Sequence, residues 1–164
     1  MVDMRSYRMA DAMAVGKLIA DTYADYNLGF VSPEERGPFL GPFRYVDTAD
    51  ADQQAAIAAT IASETVLVAE DDGDIVGVLR GRRERLTSLF VRGDRQRQGI
   101  GRKLVERYEQ DSLLQGVRVI RLTATLYGVP FYLAMGYKRS TGVRVGWSFD
   151  GHGLPYQPMR KVIG

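Results

Sequence analysis

The sequence of 164 residues contains no cysteine and only one histidine, His152. The lack of cysteine excludes disulfides, thiolate zinc sites and a cysteine nucleophile, and it is typical of proteins from a reducing compartment. His152 stands between two glycines in "DGHGLP" near the end of the chain, which favours a loop residue over a general base or a metal ligand. We therefore predict a protein without a metal site.

Long apolar runs are missing as well. Charged residues interrupt every apolar stretch of the N-terminal segment "MVDMRSYRMADAMAVGKLIAD", which is typical of neither a signal peptide nor a membrane span. We expect a cytoplasmic protein with no membrane partner. The length and the 45% hydrophobic content predict one domain, residues 1–164, with a core of its own.

Net positive charge is lacking outside one segment of the chain. The net charge is +2, yet residues 80–121 hold twelve Lys and Arg against five Asp and Glu, a net +7 that leaves −5 for the rest. A basic centre in an otherwise acidic chain indicates an anionic ligand.

Hydrophobic periodicity and turn residues predict strands that alternate with helices. The expected order is strand, two helices, hairpin, strand, helix, strand, helix and two closing strands, with the first eight elements at 4–9, 11–26, 50–62, 65–83, 85–91, 99–115, 117–124 and 127–136. Asp11 is expected to cap the first helix, and Leu113 and Leu114 to belong to the apolar face of helix 99–115. Residues 27–49, with three prolines, read as a long loop. The class is mixed α/β or α+β.

The stretch "RQRQGIGRKL", residues 95–104, places two glycines at the start of a predicted helix. Glycine within a helix costs about 1 kcal/mol of stability relative to alanine, so a conformational or functional reason must favour glycine here. The first N–H groups of a helix are unpaired and carry partial positive charge, and glycine lets an oxygen approach them closely. With the neighbouring cations, this pattern predicts a phosphate or pyrophosphate site. The motifs GxxxxGK(S/T) and GxGxxG are both absent.

The segment "LTSLFVRGDRQRQGIGRKLVERY" resembles the acetyl-CoA-binding motif of the GNAT N-acetyltransferase superfamily, in which a strand and a basic turn precede Gln96-x-x-Gly99-x-Gly101. A second segment, "LTATLYGVPFYLAMGYKR" at 122–139, is similar to the later strand and helix of that family. The resemblance covers residues 65–139 well. It implies a central, mostly antiparallel, splayed mixed sheet of about six to seven strands with about four helices, and acetyl-CoA as co-substrate.

The resemblance also implies roles for individual residues. The strand end Leu89, Phe90 and Val91 would pair with the pantetheine arm, and the backbone N–H at Leu89 would polarise the thioester carbonyl. Tyr132 matches the general acid that protonates the CoA thiolate. Arg95 or Lys103 would reach the 3′-phosphate, and the pyrophosphate would lie against Gln96, Arg97, Gln98, Gly99, Ile100, Gly101 and Arg102.

Two positions depart from the family pattern. Tyr127 stands where many members have an asparagine that contacts the pantetheine. Arg85 stands where some members have a glutamate base, and Glu84, one residue earlier, would point to the opposite face of the strand. The base that deprotonates the amine is therefore left open between a water chain and a residue from another segment.

The expected acceptor is a primary amine of a small molecule or peptide. The resemblance implies that residues 27–49 and 142–156 form the acceptor side. Both segments are rich in aromatic residues, which indicates either an acceptor with an apolar part or aromatic side chains that anchor long loops. Glu34 or Glu35 could meet a cationic amine. A non-catalytic acetyl-CoA-binding module is the alternative. A nucleic-acid-binding domain ranks last, because only Phe90 and Tyr108 interleave with the basic residues, and we expect no nucleic-acid partner. The oligomeric state is left open, with a homodimer as one option.

Overall fold

The computed structural model describes all residues, 1–164. It contains eight strands: β1 (Val2–Ser6), β2 (Thr65–Asp71), β3 (Asp74–Arg82), β4 (Arg85–Val91), β5 (Val119–Thr125), β6 (Lys138–Arg139), β7 (Arg144–Ser148) and β8 (Gly151–Val162). It also contains five α-helices: α1 (Ala12–Thr22), α2 (Gly37–Leu40), α3 (Ala51–Ile61), α4 (Ile100–Leu114) and α5 (Val129–Ala134).

The strands form one mixed sheet in the order β1-β2-β3-β4-β5-β8-β6, and β7 pairs with β8 beside this path. All neighbouring strands are antiparallel except β4 and β5, which run parallel. The predicted class, a mixed α/β fold around an open and mostly antiparallel sheet, is confirmed. The sheet has eight strands rather than six to seven, and five helices accompany it rather than four.

Helices cover both faces of the sheet. On one face, α1 and α3 pack Val15, Ile19 and Ile57 against strand residues such as Val68 and Val78. On the other face, α4 and α5 contribute to a larger cluster that joins the early and late strands, including Leu67, Leu79, Leu104, Ile120, Tyr132 and Met159. The second cluster holds the two halves of the sheet together.

Residues 27–49 are not the long loop that their prolines predict. A π-helical turn (Tyr23–Asn27) extends α1, and the short helix α2 lies between two 3₁₀ turns, Pro33–Glu35 and Gly41–Tyr45. Phe39 and Phe43 are buried. Burial of these aromatic rings orders the segment, because large apolar side chains removed from water outweigh the disorder that proline and glycine favour.

Helix α4 ends as predicted, at Gly116 with a left-handed φ of +84°. The expectation for Leu113 and Leu114 is wrong: they are 48% and 87% exposed, and Ser112 is buried instead. The buried stripe of α4 follows Leu104, Tyr108 and Ser112 at intervals of four residues, so the next two positions turn away from the sheet.

Three further expectations need correction. Asp11 does not cap α1: its carboxylate accepts hydrogen bonds from the Arg8 N–H at 2.8 Å and from the Arg5 guanidinium at 2.8 and 2.9 Å. Three closing strands are present rather than two. His152 lies in strand β8 rather than in a loop, with its ring centroid 4.7 Å from that of Trp147 on β7.

None of the five helices combines the length and the apolarity that a membrane crossing needs.

Candidate active site

A split in the sheet between β4 and β5 creates a large cleft. The two strands pair only at Arg85 and Arg121, near the start of β4, where the Arg121 N–H also bonds to the Glu84 carbonyl at 2.8 Å. Beyond this point the strands share no further pairing. The cleft that results has a volume of about 1410 Å³, which exceeds the roughly 300–1,000 Å³ of a pocket for one small molecule.

Backbone groups of β4 face this opening. The Arg92 N–H bonds to the Val76 carbonyl on β3, and the backbone groups of alternate residues in a strand point to the same edge. The N–H and C=O groups of Leu89 and Val91 must then point away from β3, toward β5. In agreement, the Val91 carbonyl accepts a hydrogen bond from Gln96 Nε2 at 3.0 Å, outside the sheet. The predicted strand end thus offers a free pairing edge at Leu89.

The glycine-rich loop lies at the end of this edge. The first helical N–H to pair within α4 is that of Lys103, which bonds to the Gly99 carbonyl at 3.0 Å. The N–H groups of Ile100, Gly101 and Arg102 precede it and are available to an anion. Arg97 and Gly99 both have left-handed φ values, +61° and +84°. This backbone, lined by Arg97 and Arg102, fits a pyrophosphate.

The two glycines of the loop have different structural reasons. A Cβ on Gly99 would meet nothing within 4 Å, so its left-handed φ of +84° is what requires glycine. Gly101 has ordinary dihedrals, but a Cβ there would lie 3.3 Å from Phe131 and 3.6 Å from Val91. Gly99 therefore sets the course of the loop, and Gly101 lets α4 approach α5 and β4 closely.

The cations of the loop are not equally free. Arg95 is held by Asp71 at 2.8 Å and by Gln98 Oε1 at 3.1 Å, and Arg102 is 3.8 Å from Glu106. Arg97 and Lys103 form no ion pair. Of the residues expected to contact the cofactor, Gln98 is not part of the cleft wall; its side chain bonds instead to Arg95 and to the Asp94 carbonyl.

Tyr127 closes part of the opening. Its hydroxyl donates to Gln96 Oε1 at 2.8 Å, and its ring lies 5.2 Å from that of Tyr26 at the end of α1. Gln96 thus bonds to Tyr127 and to Val91 at once, and its side chain braces the loop rather than standing free. Nearby, Thr125 Oγ1 donates to Asn27 Oδ1 at 2.9 Å. Tyr127 and Asn27 place polar groups at the rim of the split.

Tyr132 lies deep at the side of the split, on α5. It is 7% exposed and packs against Phe131 and Tyr137, with ring centroids at 5.1 and 5.7 Å. Its side chain lines the cleft. Burial raises the pKa of Tyr132 above the ordinary phenol value of 10.0, because a buried phenolate loses its hydration. The hydroxyl therefore stays protonated, as a proton donor must.

The wall beyond Leu89 is aromatic and contains no acid. Phe43, Trp147, Phe149 and Tyr156 line it, as their segments predict, whereas Phe30, Phe39 and Tyr45 do not. Neither Glu34 nor Glu35 reaches the cleft, and both are exposed. Glu84 is exposed in the β3–β4 turn at a left-handed φ of +67°. No Asp, Glu or His belongs to the cleft wall.

Several residues of the wall were not foreseen in the sequence. Thr22 is the last residue of α1, Tyr23 and Asn27 belong to the π-helical turn that follows it, and Arg80 lies near the end of β3. Arg80 alone carried a signal: it is a charged residue inside the apolar run "DIVGVLRGR". Neither aromatic residue of the basic segment stands free on the surface to stack on a nucleic-acid base. Tyr108 is buried with its hydroxyl bonded to the Arg82 carbonyl, and Phe90 packs on Tyr23.

The geometry defines an α/β protein whose ligand cleft lies at a split between parallel strands and ends at a glycine-rich helix start. The family description "Acetyltransferase (GNAT) domain" matches residues 43–163. The chain therefore belongs to the GNAT acetyltransferase family. No curated protein matches the sequence significantly.

Solved structures with the same fold cover nearly the whole chain. A GCN5-related N-acetyltransferase from Rhodopseudomonas palustris superposes with a TM-score of 0.80 at 20% identity, over 98% of this chain and 94% of the other. The PaiA N-acetyltransferase from Thermoplasma acidophilum, in complex with coenzyme A, gives 0.70 at 16% identity over 99% of both chains. The ribosomal-protein-S18-alanine N-acetyltransferase from Escherichia coli gives 0.64 at 18% identity, over 100% and 95%.

Proposed function

We propose that the protein transfers the acetyl group of acetyl-CoA to a primary amine of a small molecule or peptide by direct attack. The observation that carries this proposal is the free backbone edge at Leu89, which lines the same cleft as the glycine-rich start of α4 and the buried phenol of Tyr132. Acetyl-CoA supplies an activated thioester to this cleft. That structural relatives include proteins bound to coenzyme A or acetyl-CoA supports the choice of co-substrate.

Each part of the cleft has a role in this proposal. The N–H groups at the start of α4 hold the pyrophosphate, with Arg97 and Arg102 adding charge. The Val91 backbone pairs with the pantetheine arm, whereas the Phe90 backbone faces β3 and takes no part in this pairing. The Leu89 N–H donates to the thioester oxygen, where negative charge develops. The Tyr132 hydroxyl donates its proton to the departing sulfur. Tyr127 and Gln96 shape the entrance for the arm.

Deprotonation of the amine falls to water in this proposal. The cleft wall offers no carboxylate and no imidazole, but it does include Ser88 and Thr123, whose hydroxyls donate to no protein acceptor. Such hydroxyls can order a chain of water molecules that carries the proton to bulk solvent. The amine then attacks in its neutral form.

The test is release of the CoA thiol from acetyl-CoA in the presence of a broad panel of primary amines. We expect at least one amine to accelerate release above the rate of hydrolysis, with a stoichiometric N-acetyl product. Binding of acetyl-CoA is checked separately by thermal shift, since saturation at 100 times Kd should stabilise the fold by about 2.7 kcal/mol. An absence of any shift at millimolar acetyl-CoA would contradict the proposal at its first step.

The alternative is a non-catalytic acetyl-CoA-binding module of the same fold. The lack of any acid or histidine in the cleft wall favours this alternative. So do Arg85 and Tyr127, which stand at the two positions that depart from the family pattern. It predicts a clear thermal shift with acetyl-CoA but no thiol release with any amine of the panel.

A further inference from the structure

Arg80 is a cation built into the acceptor side of the cleft. It lies on β3 directly opposite Ser88 of β4, and Ser88 is the residue before Leu89. The phosphate-binding loop follows Val91, three residues further along β4, which corresponds to about 10 Å. Phosphates held at the start of α4 are therefore too far away to be the partner of Arg80.

The guanidinium of Arg80 is held rigidly, yet it is not saturated. Nε donates to the Ile61 carbonyl at 2.9 Å and Nη2 to the Thr60 carbonyl at 2.7 Å, both at the end of α3. Nη1 approaches Ser88 Oγ at 3.4 Å. Because a guanidinium has five N–H donors, two remain without an acceptor in the protein.

No acid neutralises this cation. Arg80 forms no ion pair, and no Asp or Glu belongs to the cleft wall. Arg80 is half-buried. Removing an unpaired charge from water, even in part, costs free energy, and the negative end of the α3 dipole offsets only part of that cost. Burial accordingly lowers the pKa of Arg80. A bound carboxylate would complete both the charge and the hydrogen bonds, because the planar fork of arginine matches its two oxygens.

We propose that Arg80 binds a carboxylate on the acetyl acceptor, so that the acceptor is an amine that also carries a carboxylate and an apolar or aromatic body. The inference rests on the proposed function. The apolar body would lie among the rings of Tyr23, Phe43, Phe90 and Trp147, which line the same cleft. Free amino acids with apolar side chains have this combination of groups.

The test uses matched pairs that differ only in the carboxylate: phenylalanine with phenethylamine, leucine with isoamylamine, and tryptophan with tryptamine. Their Kd values are measured by calorimetry on the CoA-loaded protein, so that carboxylate recognition is read even without turnover. We expect the acid of at least one pair to bind at least 10-fold more tightly than its amine. If no acid binds more tightly than its matched amine, the inference is overturned.

Two variants assign the effect to one residue. Arg80→Gln should abolish the preference for the acid, whereas Arg82→Gln, an exposed arginine of the same strand outside the cleft, should retain it. A preference that persists in Arg80→Gln overturns the inference. If Arg80→Gln unfolds because the end of α3 loses its hydrogen bonds to Arg80, Arg80→Lys is used instead. Lysine lacks the planar fork and should reduce the preference for the acid. An unchanged ratio of the Kd values of amine and acid overturns the inference.

The outcome is separable from that of the proposed function. Thiol release with the amines but no acid preference removes the role of Arg80 and leaves acetyl transfer intact. Acid preference without thiol release supports the role of Arg80 and removes acetyl transfer.

Discussion

At the scale of single residues, Tyr132 combines burial with a place on the cleft wall. Its hydroxyl has no hydrogen-bond partner in the protein, and burial alone raises its pKa. The neighbouring Tyr137 is equally deep, but its hydroxyl bonds to Glu109 at 2.9 Å and it does not line the cleft. Tyr132 and Tyr137 contact each other, but Tyr137 belongs to the core and Tyr132 lines the split. Tyr137 therefore offers a matched control for substitutions of Tyr132.

Tyr132→Phe should lower kcat by about 10²- to 10⁴-fold, the usual contribution of a general acid. The KM for acetyl-CoA and the thermal midpoint should change little, because no protein hydrogen bond is lost. Tyr137→Phe is the control: it should lower the free energy of unfolding by about 1 kcal/mol through loss of its bond to Glu109, with kcat retained. Thiol release and thermal unfolding measure the two effects. Equal kcat values in Tyr132→Phe and the wild type would remove Tyr132 from the mechanism.

The pH dependence of the rate should reflect the pKa of the acceptor amine rather than that of a base in the protein. The rate should rise with pH through the pKa of the amine itself, since only the neutral amine attacks and no acid or imidazole lines the cleft. The raised pKa of Tyr132 means that the donor stays protonated throughout, so no alkaline decline is expected below about pH 10. Profiles of kcat/KM for two acceptors of different pKa check this. A shared inflection near pH 6 for both would instead indicate a base in the protein.

At the scale of elements, the start of α4 depends on one residue in a left-handed conformation. Gly99 and Gly116 flank the same helix, both have φ of +84°, and a Cβ on either would meet nothing within 4 Å. They therefore share the same backbone constraint but lie at opposite ends of α4, and only Gly99 adjoins the cleft.

Gly99→Ala and Gly116→Ala should each destabilise the fold by about 1 kcal/mol, the cost of a left-handed non-glycine residue. Only Gly99→Ala should weaken acetyl-CoA binding, by about 10-fold, because relief of the strain moves the N–H groups that would hold the pyrophosphate. Thermal unfolding and calorimetric titration measure both. Equal losses of affinity in the two variants would mean that the loop acts through stability alone.

The elements that sequence patterns predict well are short apolar runs bounded by charged or turn residues. The predicted limits of β4 coincide with the observed Arg85–Val91, and β2 and β3 together span Thr65 to Arg82, within the hairpin predicted at 65–83. Sequence patterns predict the structure wrongly where residues are buried by segments that are distant in the sequence. Phe39 and Phe43 order residues 27–49 because they contact later segments of the chain. Strand β8 begins early enough to include His152 because β7 pairs with it there.

The candidate site divides in the same way. Its loop and Tyr132 stand in local motifs, so one sequence suffices to propose them. Arg80, Tyr23 and Asn27 come to the cleft only through tertiary packing: the register of β3 with β4 places Arg80, and the π-helical turn after α1 places Asn27. No local pattern predicts such a juxtaposition, although a lone arginine in an apolar strand is a usable hint.

At the scale of the whole molecule, the sheet is nearly divided in two. Strands β1 to β4 and strands β5 to β8 share a single parallel pair, Arg85 with Arg121. The cluster under α4 and α5 joins both halves, so the molecule tolerates the split without opening. The unpaired edges of β4 and β5 are therefore exposed within a rigid frame, and a ligand that pairs with them would complete the sheet.

Acetyl-CoA should accordingly slow amide hydrogen exchange at Leu89 and Val91, whose N–H groups face the split. The same holds for Thr123: the Arg121 N–H bonds to the Glu84 carbonyl, and alternation then directs the Thr123 N–H toward β4. Amides of Leu67 and Leu79, which alternation directs toward each other between β2 and β3, should show no change beyond global stabilisation. Exchange measured with and without acetyl-CoA separates these groups. Protection confined to the start of α4, with Leu89 and Val91 unchanged, would show that the loop binds anions while the split plays no part in holding the thioester arm.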